Sequence, residues 1–171
     1  AAQLLHEDKI IGWFQGRMEA GARALGNRSI LSNPTNPSNK DRVNKAIKYR
    51  EGFRPFCPSM LENDAEKFLE NYYINKDMTC SFAAKKEANE KIPAVVHIDG
   101  TCRIQIVDKS LNEAYHQLLC DFKSLSGVGV VLNTSFNIKG EPIVENPRQA
   151  IKCFFDTGID ALFLGNFLLE K

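Results

Sequence analysis

No CxxC pair links any two of the five cysteines (Cys57, Cys80, Cys102, Cys120, Cys153), so a zinc ribbon or a thioredoxin-type redox site has no support. Their odd number and wide spacing fit buried free thiols in a reducing cytoplasm. The three histidines form no HxxxH or HxxE spacing, and no transition-metal site is expected. The longest apolar runs, VGVV and ALFLGNFLL, fall well short of the ~20 residues that cross a bilayer. The opening AAQLLHEDKIIGWF carries no basic n-region and no signal-peptide core. An overall basic excess is missing too: 22 Lys+Arg against 21 Asp+Glu leave +1, which by itself argues against a generic polyanion binder.

What remains is a chain of 171 residues, 43% hydrophobic and 25% charged, the size of one domain with one core. The first residues read as the end of an amphipathic helix, as though the chain were cut mid-helix from a longer protein. KIIGWFQ at 9–15 is a strand run. Pro37 and Ser38 start a short helix toward Lys48. In REGFRPFCPSML two prolines predict an extended segment that is not a central, fully hydrogen-bonded strand. A helix over 64–71, capped by Asn63 or Asp64, precedes a charged loop or lid at 76–92.

Further on, Asp99-Gly100 signals a hairpin between strands 94–98 and 102–107. Asn112 caps a helix to about Leu125, with Ala114, Leu118, Leu119 and Phe122 as its apolar face. GVGVVLNTSF is a buried strand. Asn146 and Pro147 start a last helix that Gly158 stops, and a final strand spans 159–164. Interleaved strands and helices predict an α/β fold with a mixed sheet and flanking helices in a single domain.

The near-neutral total hides a local excess. Nine basic residues (Arg17, Arg23, Arg28, Lys40, Arg42, Lys45, Lys48, Arg50, Arg54) and only three acids lie between Gln15 and Arg54. Arginines in glycine-punctuated loops suit anion binding, since the guanidinium fork matches phosphate and carboxylate, and glycine lets backbone amides approach. The loop has neither GxxxxGK[ST] nor GxGxxG grammar, so a nucleotide would be held by side chains. A second constellation, Asn133-Thr134-Ser135-Phe136-Asn137, follows a buried strand, where open α/β sheets place ligands. It reads equally as an ordinary turn. The third, His97-Ile98-Asp99 with Arg103, permits a Ser–His–Asp triad with Ser135 to be drawn, but no GxSxG motif supports it.

FQGRMEAGARALGNRSIL, KDRVNKAIKYREGFRPFCPSML, PAVVHIDGTCRIQIV and GVGVVLNTSFNIKGEPIVENPRQAIKCFFDTGIDALFLGNFLL occur in this order. Together they resemble the C-terminal domain of O-carbamoyltransferases of the nodulation-protein, tobramycin and cephamycin type. The resemblance runs from about Ile10 to Leu169 and is weakest at 76–92. Ala22 stands where the family usually has proline, which loosens the loop without removing a functional group.

The resemblance implies a YrdC-like twisted sheet with a positive cleft that binds ATP, with Mg²⁺, and carbamoyl phosphate, and forms carbamoyl-adenylate. It implies that residues 1–171 are one domain of a longer cytoplasmic enzyme. An N-terminal domain of actin-like fold, with an iron site, would carry the transfer to a hydroxyl. By motif position the ligand contacts would be Arg23, Lys48, Arg54, Arg103, Asn133 and Ser135, with the four cations as the catalytic set. Related folds bind double-stranded RNA, so an RNA- or nucleotide-binding module without chemistry is the alternative, although nucleic acid is not the expected partner.

Overall fold

The computed structural model describes residues 1–171, which form six α-helices and nine strands. Seven strands make one mixed sheet: β1 (Ile11–Phe14), β2 (Arg28–Ser32), β3 (Cys57–Met60), β6 (Gln105–Ile106), β7 (Val130–Ser135), β8 (Ala161–Leu164) and β9 (Phe167–Glu170). Their order is β6-β3-β7-β2-β1-β8-β9, parallel at β3/β6 and β1/β8 and antiparallel elsewhere. A separate ribbon pairs β4 (Ser81–Ala83) with β5 (Thr101–Arg103). Every residue of β1, β2 and β3 is buried, so this part of the sheet is covered on both faces, which explains continuous rather than alternating apolar runs.

The helices are α1 (Ala2–His6), α2 (Ser38–Val43), α3 (Glu62–Phe68), α4 (Lys86–Lys91), α5 (Glu113–Ser126) and α6 (Pro147–Asp156). The two longest start where local chemistry predicts. Asn112 Oδ1 accepts from the Tyr115 amide at the start of α5, and Gly127, at φ 81°, ends that helix. At α6, Asn146 and Gln149 form a capping box ahead of Pro147. The inward face of α5 carries Tyr115, Leu118, Leu119 and Phe122, and Ala114 is exposed instead. At Gly26 (φ +105°) an added Cβ would lie 2.2 Å from the Tyr115 ring, so α5 rests directly on the loop before β2.

Several local expectations yield to long-range pairing. β3 lies between β7 and β6 despite Pro58. Pairing with β6 begins at Ser59, one residue beyond the proline that lacks an N–H, so a short neighbour makes the interior position tolerable. Residues 94–98 form no strand: Pro93–Val95 is a 3₁₀ turn, and Thr101–Arg103 pairs with β4 rather than across Asp99-Gly100. The 76–92 stretch contains both β4 and α4, not a bare loop. α3 starts at Glu62 without a side-chain cap, because Asp64 is buried and holds Lys123 Nζ (2.7 Å) and the Gly129 amide (3.1 Å). β8 is not the last strand, since the chain turns at Gly165 and adds β9.

Candidate functional site

β7 carries Asn133 and Ser135 at its carboxyl end, two residues apart and therefore on the same face of the sheet. Asn133 is buried. Its Nδ2 donates to the Ala24 carbonyl (3.0 Å) and Ser59 Oγ (2.8 Å). Ser59 Oγ donates to Gln105 Oε1 (2.6 Å), and Gln105 Nε2 to the Leu25 carbonyl (2.8 Å). This network ties the arginine–glycine loop to β3, β6 and β7. Asn133 Oδ1 has no partner, a buried acceptor left open.

The loop itself is organised by Glu19. Its Oε1 accepts from the amides of Leu25 (2.6 Å) and Asn27 (2.7 Å), which fixes the turn that presents Arg23. Asn112 Nδ2 holds Asn27 Oδ1 at 2.9 Å from the other side.

Two adjoining cavities open here. One, of about 110 Å³, is lined by Arg23, Arg50, Cys57, Arg103, Asn133 and Ser135, among others. The second, of about 240 Å³, is lined by Lys48, Arg50, Arg54, Ser135, Asn137 and Lys139 among others. The six residues singled out from sequence thus meet at one place in the fold, four around the first cavity and three around the second, with Ser135 common to both. Arg50 and Lys139 belong to the site as well and were not singled out. Arg50 stood within the basic block, but only the tertiary arrangement distinguishes it from its neighbours there.

The block does not act as one patch. The Arg28 guanidinium is consumed by the Gln15 (2.7 Å), Asn27 (2.9 Å) and Gly16 (3.1 Å) carbonyls and lies 3.5 Å from the Phe14 ring centroid. Arg42 pairs with Asp160 at 3.6 Å. Arg23, Lys48, Arg50 and Arg103 make no salt bridge, and Arg54 makes one, to Glu51 at 2.8 Å. Arg103 donates from Nε (3.1 Å) and Nη2 (3.0 Å) to Cys57 Sγ. Four cations without carboxylate partners thus line two adjoining cavities, which makes this the region of concentrated positive charge.

Lys48 is the buried member. Its Nζ reaches the Ser135 carbonyl (2.6 Å), Asn137 Oδ1 (2.7 Å), the Asn137 carbonyl (3.0 Å) and Ser135 Oγ (3.3 Å). Burial, followed by repulsion from Arg50, pushes its ammonium down to about 7. Burial also lowers Arg50, with Arg54 adding to the effect. Ser135 Oγ donates to Asn137 Oδ1 at 2.7 Å, and His97 Nδ1 meets Thr101 Oγ1 at 3.1 Å. Asp99 Oδ1 accepts from the Thr101 amide (3.0 Å) and hydroxyl (2.7 Å), so these residues build a turn and no triad.

The model of the family described as Carbamoyltransferase C-terminus matches residues 2–171. The chain belongs to this family. This carbamoyltransferase C-terminal domain is 42% identical to nodulation protein NolNO of Sinorhizobium fredii, over 100% of the chain and 26% of that protein. It is 34% identical to 3'-hydroxymethylcephem-O-carbamoyltransferase of Amycolatopsis lactamdurans, over 95% of the chain and 31% of that protein. The chain therefore spans less than a third of these relatives.

Among solved structures it is similar to full-length HypF in a phosphate- and nucleotide-bound form. That match has a TM-score of 0.71 at 17% identity and covers 96% of this chain and 24% of that one. It is also similar to P. abyssi Sua5 complexed with L-threonine, with a TM-score of 0.66 at 13% identity, over 96% of this chain and 45% of that one. The fold of the carbamoyltransferase C-terminal domain is the YrdC-like mixed α/β sheet that the resemblance implied. None of its helices is long and apolar enough to cross a membrane.

Proposed function

We propose that this domain binds ATP and carbamoyl phosphate in the paired cavities and joins them as carbamoyl-adenylate. The rest of a longer cytoplasmic enzyme, with an actin-like domain and its iron site, would pass the carbamoyl group to a hydroxyl of a sugar, antibiotic or polysaccharide. One observation carries the reading: Arg23, Lys48, Arg50 and Arg103 surround the cavities and none of them pairs with a carboxylate, the lining carboxylate Glu51 being held by Arg54. Two anionic substrates supply that neutralisation, and holding them together is most of what adenylation requires.

Water adds to the carbonyl carbon of carbamoyl phosphate, the bond to the phosphate oxygen breaks, and phosphate departs carrying both protons of the water, which leaves a carbamate anion. A carbamate oxygen then bonds to the α-phosphorus of ATP as the bond to the β-phosphate oxygen breaks, and pyrophosphate departs with the electron pair. The nucleophile is already an anion, so no general base is needed, in keeping with a cleft built of arginines, amides and hydroxyls. Asn133, whose Oδ1 is buried without a protein partner, lines the cavity in which the NH₂ of the carbamoyl group would sit. Ser135 orients the neighbouring oxygen atoms. Glu51, a carboxylate of the lining, is held by Arg54, so the residues present do not form a resident metal site. Mg²⁺ would enter with the triphosphate of the substrate.

The test is pyrophosphate exchange into ATP with and without carbamoyl phosphate, on wild type and Arg23→Ala. Exchange that needs carbamoyl phosphate and falls at least ~100-fold in the variant is expected, the scale of removing one strong electrostatic stabiliser. A wild-type chain that binds no ATP overturns the reading. ATP binding or RNA binding without exchange would favour the non-catalytic module.

A further inference from the structure

Adenylation makes no use of Cys57, yet its thiol lies among cations. Cys57 opens β3 and lines the cavity of about 110 Å³ together with Arg23, Arg50 and Arg103. Its Sγ accepts from both Nε (3.1 Å) and Nη2 (3.0 Å) of Arg103, and no carboxylate competes for that guanidinium. None of the other thiols is bonded in this way. Cys80 Sγ accepts from the Tyr73 hydroxyl (2.8 Å), Cys120 Sγ lies 3.6 Å from His116 Nδ1, and Cys102 donates to the Val95 carbonyl (3.5 Å). Across the β3–β7 pair Cys57 is in register with Asn133, which is 2% exposed, lines the same cavity and keeps Oδ1 without a partner. A narrow cavity, a sulfur facing paired cationic donors and a neighbouring open acceptor suit a small oxidant that carries O–H groups, hydrogen peroxide.

We propose that Cys57 is a peroxide-sensitive thiol, and that its oxidation to the sulfenic acid takes Arg103 out of the anion site. The thiolate is the reacting form of a cysteine, and two N–H groups directed at the sulfur favour negative charge there. The sulfur gives an electron pair to one oxygen of the peroxide. The S–O bond forms as the O–O bond breaks, and the second oxygen leaves as hydroxide, which takes a proton from solvent. Cys57 is thereby oxidised by two electrons and the peroxide is reduced to water. The added oxygen fills part of the smaller cavity and claims the Arg103 donors, so an anionic substrate loses both space and a cation. A thiol reductant reverses the change: its sulfur displaces the oxygen as water to give a mixed disulfide, and a second thiol releases Cys57. The block of anion binding rests on the proposed function, whereas the oxidation of Cys57 does not.

The folded chain is exposed to hydrogen peroxide for set times, quenched with catalase and unfolded in iodoacetamide. Peptide mass spectrometry then gives the oxidised fraction of each cysteine. Cys57 is expected to oxidise at least ~10-fold faster than Cys80 and Cys120, although both of these are more exposed. Arg103→Leu is expected to remove that advantage, and saturating inorganic pyrophosphate to protect Cys57 alone. In calorimetry, oxidised wild type is expected to bind pyrophosphate at least ~10-fold more weakly than reduced wild type. Dithiothreitol restores the affinity, and peroxide leaves that of Cys57→Ala where it was before treatment.

Oxidation of Cys57 no faster than that of Cys80 and Cys120 overturns the proposal. So does an Arg103→Leu rate equal to that of wild type, or pyrophosphate affinity that persists once Cys57 is oxidised. Thermal melting identifies folded variants. Arg103→Lys, which keeps the charge and loses the paired donors, replaces Arg103→Leu should the latter unfold. Reduced wild type that binds no pyrophosphate would reject the anion site of the proposed function, and the oxidation rates would still decide the role of Cys57.

Discussion

Lys48 and Ser135 are 87 residues apart in the chain, yet Lys48 Nζ lies 2.6 Å from the Ser135 carbonyl oxygen and 3.3 Å from its hydroxyl. The lysine stands at the end of a π-helical turn, Asn44–Lys48, that continues α2, and it pins the strand end at which the two cavities join. A charge buried this far is kept only by hydrogen bonds, and here oxygen atoms of Ser135 and Asn137 provide them.

The unfolded chain keeps a proton on Lys48 up to its ordinary 10.5, whereas the fold releases it near 7. The unfolded state therefore binds more protons in that window, and stability rises as pH increases through it. Urea denaturation at pH 7, 8 and 9 is expected to show wild type gaining on Lys48→Met. Over the same rise the site loses one positive charge, so ATP affinity falls in wild type and stays flat in the variant. Parallel pH curves for the two proteins would contradict this.

Glu19 should matter to the site although it lines neither of the two cavities. Its Oε1 holds two amides of the loop that presents Arg23, and Glu19→Ala strands both. A loss of about 2 kcal/mol is expected, with smaller effects for Glu19→Gln, which keeps the acceptor. Hydrogen exchange at the Leu25 and Asn27 amides reads the loosening directly.

Gly26→Ala combines an unfavourable φ with a Cβ placed 2.2 Å from the Tyr115 ring, which is itself fully buried. Neither the loop nor α5 can give way cheaply, and a loss above about 3 kcal/mol is expected. Soluble yield and the denaturation midpoint measure it. Gly140→Ala, with open space around its Cβ, separates positive-φ strain from the clash.

All five cysteines are free, and three of them, Cys57, Cys102 and Cys153, are buried. Burial pushes the Cys102 thiol up to about 12 and that of Cys153 up to about 11, so neither supplies thiolate near neutrality. Titration of the folded chain with an aromatic disulfide is expected to modify Cys80 and Cys120 first. Cys102 and Cys153 should react only after denaturation.

The parts of the fold legible in the sequence are those set by local chemistry. Asn112 and the Asn146-Pro147 pair mark the starts of α5 and α6 because capping needs only residues three positions apart. β3, β4 and β9 were hidden or misread because each depends on a partner distant in the chain or on a neighbour that is itself short. Pro58 is tolerated inside the sheet only because β6 begins pairing at Ser59. Asp64 looked like a cap from its neighbours, but Lys123 and Gly129 claim it.

For the site, the motifs named Arg23, Lys48, Arg54, Arg103, Asn133 and Ser135, and the fold gathers them around two joined cavities. Composition had suggested that the basic block as a whole faces an anion. In the structure Arg28 supports backbone carbonyls and Arg42 holds Asp8 and Asp160, while Arg103 and Lys139 join the site from outside the block.

By itself, then, the sequence determined the family, the helix starts and the local excess of positive charge, since all three reside in short strings of neighbouring residues. Only the tertiary structure decided which cations share a cavity, which of them the protein already neutralises, and that Arg50 stands between the two pockets. Those outcomes depend on distances between segments tens of residues apart, and the pairing of β3, β7 and β2 sets those distances.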